Sequence, residues 1–140
     1  MPEALLVHGA WIIAVDVVPA VDQEPSRFRD RSSALVVHVR GKGLLVVTGC
    51  AHAGAVNIVR HAQRLTAVPR LHALLGGLHL SGGYFTPSIA PTVEALTAMA
   101  PDLLVPGHCT GWRAQHTFAT ALPDSWVQGS SGTRYELSAV

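Results

Sequence analysis

The first third of the chain consists of apolar runs separated by short polar breaks. The segment from Leu5 to Val18 is rich in Val, Ile and Leu and predicts one or two buried strands. Two further apolar runs, at 34–39 and 44–47, flank Arg40-Gly-Lys-Gly43. Apolar runs joined by a short glycine-containing turn are typical of a β-hairpin, so this part of the chain is predicted to be β-structure.

After Thr48 the spacing of the apolar residues becomes helical in places. The predicted helices cover residues 54–66, 88–100 and 111–122. Short apolar runs at 71–75 and 103–105 separate these helices and predict buried strands, and short closing strands are expected at 125–127 and 133–137. Alternating strands and helices favour an α/β fold with a largely parallel sheet. No linker divides the chain, which predicts one domain over residues 1–140.

Composition excludes several classes of function. Hydrophobic residues make up 49% of the 140 positions and charged residues only 14%, which excludes a disordered chain. The formal net charge of +1 argues against a nucleic-acid or membrane partner. The amino terminus lacks the basic start of a secretory signal, and two cysteines cannot form a disulfide framework. We therefore expect a cytoplasmic protein.

Three of the eight histidines share a sequence context. His52, His79 and His108 each follow an apolar run and a glycine. Neighbouring parallel strands lie about 4.8 Å apart and their carboxyl ends meet at one sheet edge, so these imidazoles are expected to converge. Three histidines and a water make an open zinc site. The sequence therefore predicts a metal site with zinc as the first expectation, although iron, nickel and copper also suit nitrogen ligands.

Four further residues lie next to these histidines. Cys50 precedes His52 by two positions, and Cys109 directly follows His108. A thiolate is a good zinc ligand, but small cysteines are also common packing residues, so both interpretations stay open. Thr110 and Gly111 begin the third predicted helix, where free backbone amides would suit an anion.

Three segments carry a family resemblance, and they are Thr48-Gly-Cys-Ala-His-Ala-Gly54, Gly76-Gly-Leu-His-Leu80 and Pro106-Gly-His-Cys-Thr-Gly111. They resemble the branch of the metallo-β-lactamase superfamily whose members are named dihydropterin ribofuranosylaminobenzene-phosphate synthase-like. The resemblance implies an αββα sandwich with metal ions, usually zinc, at one edge of two facing sheets. It implies His52 and His108 as ligands and places His79 where a bridging aspartate is usual. The implied chemistry is attack of a metal-activated water on an ester, amide or phosphoester of a small-molecule substrate, which the family name suggests is phosphorylated.

The main ligand motif of that superfamily, His-x-His-x-Asp-His, does not occur in these 140 residues. The chain therefore resembles the carboxy-terminal half of the fold, a β-hairpin followed by βαβαβα. We expect a truncated or split metallohydrolase that is inactive alone. Its partner would be the amino-terminal half on another chain, or a second copy bound through an exposed sheet face. The alternative is a non-catalytic binding or scaffold module derived from the enzyme fold.

Overall fold

The computed structural model describes residues 4–7, 10–17 and 32–140. In chain order the elements are β1 (Ala4–Val7), β2 (Ala10–Val17), β3 (Ser32–Val39), β4 (Gly43–Thr48), α1 (Ala55–Thr66), β5 (Leu71–Gly76), α2 (Thr86–Met99), β6 (Leu103–Pro106) and α3 (Trp112–Ala121). The predicted α/β class and the order of a hairpin followed by βαβαβα are confirmed, with β4 shared between the two units. Among the described helices, none is long and apolar enough to cross a membrane.

The six strands form one mixed sheet in chain order. Strands β1 to β4 are antiparallel neighbours, whereas β4, β5 and β6 run parallel. Parallel neighbours need a long crossover, and α1 and α2 supply the two crossovers here. The carboxyl ends of β4, β5 and β6 therefore lie side by side at one edge of the sheet.

The core lies between one face of the sheet and the three helices. Side chains alternate between the two faces of a strand, and in β4 Leu44 and Val46 are fully buried while Leu45 and Val47 are half-buried. The buried cluster that includes Leu44 and Val46 takes residues from all three helices: Ile58, Val59, Ala62, Ile89, Val93, Leu96, Ala114 and Phe118. The other face remains partly open, since Leu35 on β3 is 43% exposed.

The segment after α3 does not contain the two predicted closing strands. Trp126 makes only an isolated bridge to Leu104, and residues 133–137 have no strand pairing. The amide of Trp126 donates to the carbonyl of Leu122, and its indole Nε1 donates to Gln115 of α3 at 3.1 Å. Two backbone bonds also pair this segment with β6, since the Leu104 amide donates to the Ser125 carbonyl and the Val127 amide donates to the Leu104 carbonyl. Residues 125–127 therefore lie beside β6, but as a single parallel bridge that is shorter than the predicted strand.

Candidate metal centre

Three loops follow the carboxyl ends of β4, β5 and β6, and backbone hydrogen bonds join them. Four amide-to-carbonyl bonds of 2.7–3.0 Å make these links: Gly77 to Gly49, Gly107 to Gly76, Leu80 to Cys109 and Gly111 to Leu80. These bonds also satisfy polar backbone groups that burial would otherwise leave unpaired. The spacing of the three loops is therefore set by the main chain.

The Gly76-Gly77 pair permits this close approach. Gly76 has φ of 118°, and a Cβ atom there would lie 2.1 Å from the carbonyl oxygen of Thr48. A Cβ atom on Gly77 would lie 2.6 Å from both the Cys109 Sγ and the Gly49 carbonyl oxygen. Glycine is required at both positions because any side chain would push the loops apart.

Each of the three loops also contains a non-glycine residue with a positive φ. These residues are Ala51 at 54°, His79 at 52° and Cys109 at 56°. Such a conformation is uncommon outside glycine and is retained where the surrounding structure enforces it. His79 and Cys109 were singled out from the sequence, and Ala51 lies directly between Cys50 and His52. The unusual backbone therefore sets the direction of the candidate ligands.

One group of donors is brought together by the β4 and β6 loops. The Cys50 Sγ lies 3.0 Å from the His108 Nε2. The ligand atoms of Cys50, His108 and Cys109 all lie within 4.8 Å of one another. Tetrahedral zinc bonded to sulfur and nitrogen holds these donors about 3.5–3.8 Å apart. The donor types and their spacing therefore fit a transition-metal ion.

His52 and His79 form a second group at the same edge. Their ring centroids are 4.4 Å apart, with His52 exposed and His79 half-buried. His79 also packs against Phe85 at a centroid distance of 4.5 Å. Over the described residues, the three-donor cluster does not include His52 or His79, so the three imidazoles are divided between two groups. Their assignment as metal ligands stays a prediction.

Phe85 is a contact of the site that sequence reasoning did not identify. It ends a short 3₁₀ turn, Gly83–Phe85, and packs edge-on against Tyr84, which is 89% exposed. The signal in the sequence is an aromatic pair that follows His79 closely, after two glycines. Phe85 and Tyr84 therefore form a row of aromatic contacts that runs from the His79 imidazole towards solvent.

Cys109 is held more tightly than Cys50. Its Sγ accepts a hydrogen bond from the His79 amide at 3.4 Å and lies 3.7 Å from the Cys50 carbonyl oxygen. Burial raises the pKa of the Cys109 thiol, and the His79 amide only partly offsets this effect. In the absence of a cation this thiol is therefore kept protonated at neutral pH.

Beside His108 lies an open cavity of about 620 Å³, which Thr110, Gly111 and the 67% exposed Trp112 also line. The Thr110 hydroxyl accepts a hydrogen bond from the Leu78 amide at 3.1 Å. The Gly111 amide donates to the Leu80 carbonyl, so it is already engaged within the protein. Anion binding at Thr110 and Gly111 stays a prediction.

The chain is similar to two curated proteins of Methanocaldococcus jannaschii. It is 34% identical over 94 residues to 7,8-dihydropterin-6-methyl-4-(β-D-ribofuranosyl)-aminobenzene-5′-phosphate synthase, a match that covers 67% of this chain and 32% of that protein. It is 32% identical over 73 residues to an uncharacterised protein, with coverage of 52% and 26%. The chain thus matches a third or less of the length of these relatives. No protein-family model matches the chain.

A solved structure resembles the chain over almost its whole length. Tm1679, described as a metal-dependent hydrolase of the β-lactamase superfamily, aligns with a TM-score of 0.76 and 24% identity, over 99% of this chain and 57% of that one. The chain has the β-lactamase-superfamily fold. The resemblance found in the three histidine-containing segments is therefore confirmed. The chain corresponds to about half of the solved neighbour. All three helices of the chain pack on one face of its own sheet.

Proposed function

We propose that this chain carries part of the metal centre of a hydrolase. The observation that supports this most directly is the convergence of cysteine and histidine donors within 4.8 Å at the loops after β4 and β6. The fold adds support, since the solved neighbour Tm1679 is described as a metal-dependent hydrolase. Ligands at the carboxyl ends of parallel strands are a recurrent arrangement in α/β proteins.

In this proposal His52, His79 and His108 hold divalent metal, with zinc as the first expectation. A metal held there would supply Lewis acidity and a nucleophilic water at neutral pH. The hydrogen-bonded loops hold the three imidazoles in position, and the cavity beside His108 receives the substrate. We propose an ester, amide or phosphoester of a small molecule, and the phosphate in the name of the synthase relative favours a phosphorylated one.

The remaining ligands of the proposed centre would come from a segment with the His-x-His-x-Asp-His motif, which these 140 residues do not contain. The partly exposed apolar face of the sheet, with Leu35, Leu45 and Val47, is suited to pack against the second sheet of an αββα sandwich. We propose that the same partner segment supplies both the second sheet and the missing ligands.

Metal content tests the proposal. The chain is purified without a histidine tag, and its zinc and iron are measured by elemental mass spectrometry. We expect bound metal in the wild-type chain and its loss when His52, His79 and His108 are all changed to Ala. The control is His116→Ala, because His116 is an exposed histidine on α3 and should not affect metal content.

Two results would contradict the proposed metal centre. Equal metal in the wild type and the triple variant would place the ion elsewhere. A wild-type chain that binds no metal, even after incubation with zinc, would favour a non-catalytic scaffold module instead.

A further inference from the structure

We propose that Cys50 and Cys109 are themselves metal ligands and bind one ion together with His108. This inference rests on the proposed metal centre and deepens it, because it assigns a soft, sulfur-containing donor set to one end of that centre. The ion would be held by two thiolates and one imidazole, with a further position open to solvent or substrate.

The distances are those expected of such a donor set. The Cys50 Sγ lies 3.0 Å from the His108 Nε2, and all three donor atoms lie within 4.8 Å of one another. A tetrahedral ion needs separations of about 3.5–3.8 Å, so the Cys50 Sγ and the His108 Nε2 would move apart by about 0.5 Å to seat it. The three donors come from two adjacent loops, which are fixed through the Gly76-Gly77 segment between them.

Exposure distinguishes these cysteines from ordinary packing residues. Free cysteine is among the most buried residue types in proteins, yet Cys50 and Cys109 are both only half-buried. They lie beside His108, which is exposed, so an ion can reach all three donors from solvent. A cysteine that served only to fill the core would lie with Ile58 and Phe118, which are fully buried under the sheet.

The local backbone also reserves space for the sulfur of Cys109. Cys109 itself has a positive φ, and the absent side chain of Gly77 leaves room for its Sγ. The His79 amide points at this Sγ from 3.4 Å, which would stabilise a thiolate ligand. The strained backbone of Cys109 and the glycine at position 77 together leave the Cys109 sulfur accessible.

Two thiolates determine which ions this group prefers. Soft sulfur ligands favour zinc and similar thiophilic ions, whereas magnesium, calcium and manganese favour oxygen ligands. Binding would displace one proton from each thiol, while the imidazole binds in its neutral form. The proposal therefore predicts a site that magnesium does not fill and that cobalt, a spectroscopic substitute for zinc, does.

Cobalt titration of the full chain tests the inference. The protein is kept reduced, stripped with a chelator and titrated with Co²⁺, and absorption in the near ultraviolet reports sulfur-to-cobalt charge transfer. We expect this band in the wild type, its retention in His52→Ala/His79→Ala and its loss in Cys50→Ser/Cys109→Ser. His116→Ala serves as the surface control, and thermal unfolding of each metal-free variant verifies that it is folded.

The possible results separate this inference from the proposed function. Cobalt bound without the charge-transfer band, or a band that survives in the double-serine variant, would overturn the thiolate ligands and leave the histidine centre standing. A wild-type chain that binds neither cobalt nor zinc would overturn both. Loss of the band in the double-serine variant, with that variant folded, would support thiolate ligation.

Discussion

The two ends of the parallel strands use the same residue type in opposite ways. At the amino ends, His72 on β5 is 6% exposed, and its Nδ1 donates to the Asp102 carboxylate at 2.6 Å. At the carboxyl ends, His108 is exposed and lies beside a thiol, and His52 lies against a second imidazole. The histidine at the amino end of a strand is therefore buried and paired with a carboxylate, whereas those after the carboxyl ends are accessible to a ligand.

The pairing at the amino ends is reinforced by a third group. Arg70 donates to both oxygens of the Asp102 carboxylate, at 2.8 and 2.9 Å. The hydrogen bond from His72, followed by that from Arg70, holds the pKa of the Asp102 carboxyl below its usual range. Asp102 therefore keeps its negative charge and joins the starts of β5 and β6. The difference between the ends teaches that neighbouring groups, rather than the imidazole, decide whether a histidine is structural.

The largest effect should come from placing a side chain between the strand-end loops. We expect Gly76→Ala to lower the free energy of unfolding by about 3 kcal/mol, because the new Cβ atom meets the Thr48 carbonyl and the backbone has a positive φ. Urea denaturation measures the change, and metal content should fall with it. The matched control is Gly83→Ala, which meets no atom within 4 Å and should change stability by less than about 0.5 kcal/mol. Equal effects of the two substitutions would show that loop spacing is not fixed at Gly76.

A smaller effect is expected from breaking the cluster at the amino ends. Asp102→Ala should cost about 1–2 kcal/mol of unfolding free energy, because buried His72 loses the partner of its Nδ1. Thermal or urea unfolding measures the loss, and metal content should stay at the wild-type level. Asp124→Ala, at an exposed acidic position, is the control and should be nearly neutral. Loss of metal in Asp102→Ala would contradict the view that the cluster at the amino ends is structural and independent of the metal site at the carboxyl ends.

The smallest effect concerns pH. Because the pKa of Asp102 is lowered in the folded chain, its charged form stabilises the fold above the pKa of the unfolded state, and this contribution is lost as the solution is acidified through the folded pKa. The stability difference between wild type and Asp102→Ala should therefore be larger at about pH 5 than at about pH 3. Unfolding of the metal-free proteins at both pH values measures it, and a difference that grows on acidification would contradict the assignment.

Much of the fold could be predicted because its signals are local. Apolar runs that end at glycine marked β4, β5 and β6, and the change to helical spacing marked the helices between them. The same reasoning placed His52, His79 and His108 at one edge of the sheet, since the carboxyl ends of parallel strands coincide. The segment at 125–127 forms only a single bridge to β6 and not a full strand, and its short apolar run carries no sign that Trp126 will also bond to α3.

The grouping of the donors could not be predicted, because it depends on backbone angles that the sequence does not reveal. Ala51, His79 and Cys109 adopt positive φ although none is glycine, and these angles redirect the neighbouring side chains. As a result, Cys50 rather than His52 lies next to His108. Whether a cysteine is a ligand or a packing residue follows from such contacts across the sheet and not from its distance to a histidine along the chain.

The hydrogen bonds that join the three loops run between backbone atoms, so the edge keeps its shape independently of the exposed side chains that it presents. The side chains of His52 and His108 are exposed, and neither residue takes part in these backbone bonds. Evolution can therefore exchange one donor for another at these positions without redesigning the scaffold. In the proposed metal centre, a single nucleotide change at one of these positions would therefore alter the preferred ion while the folding of the chain is left as it was.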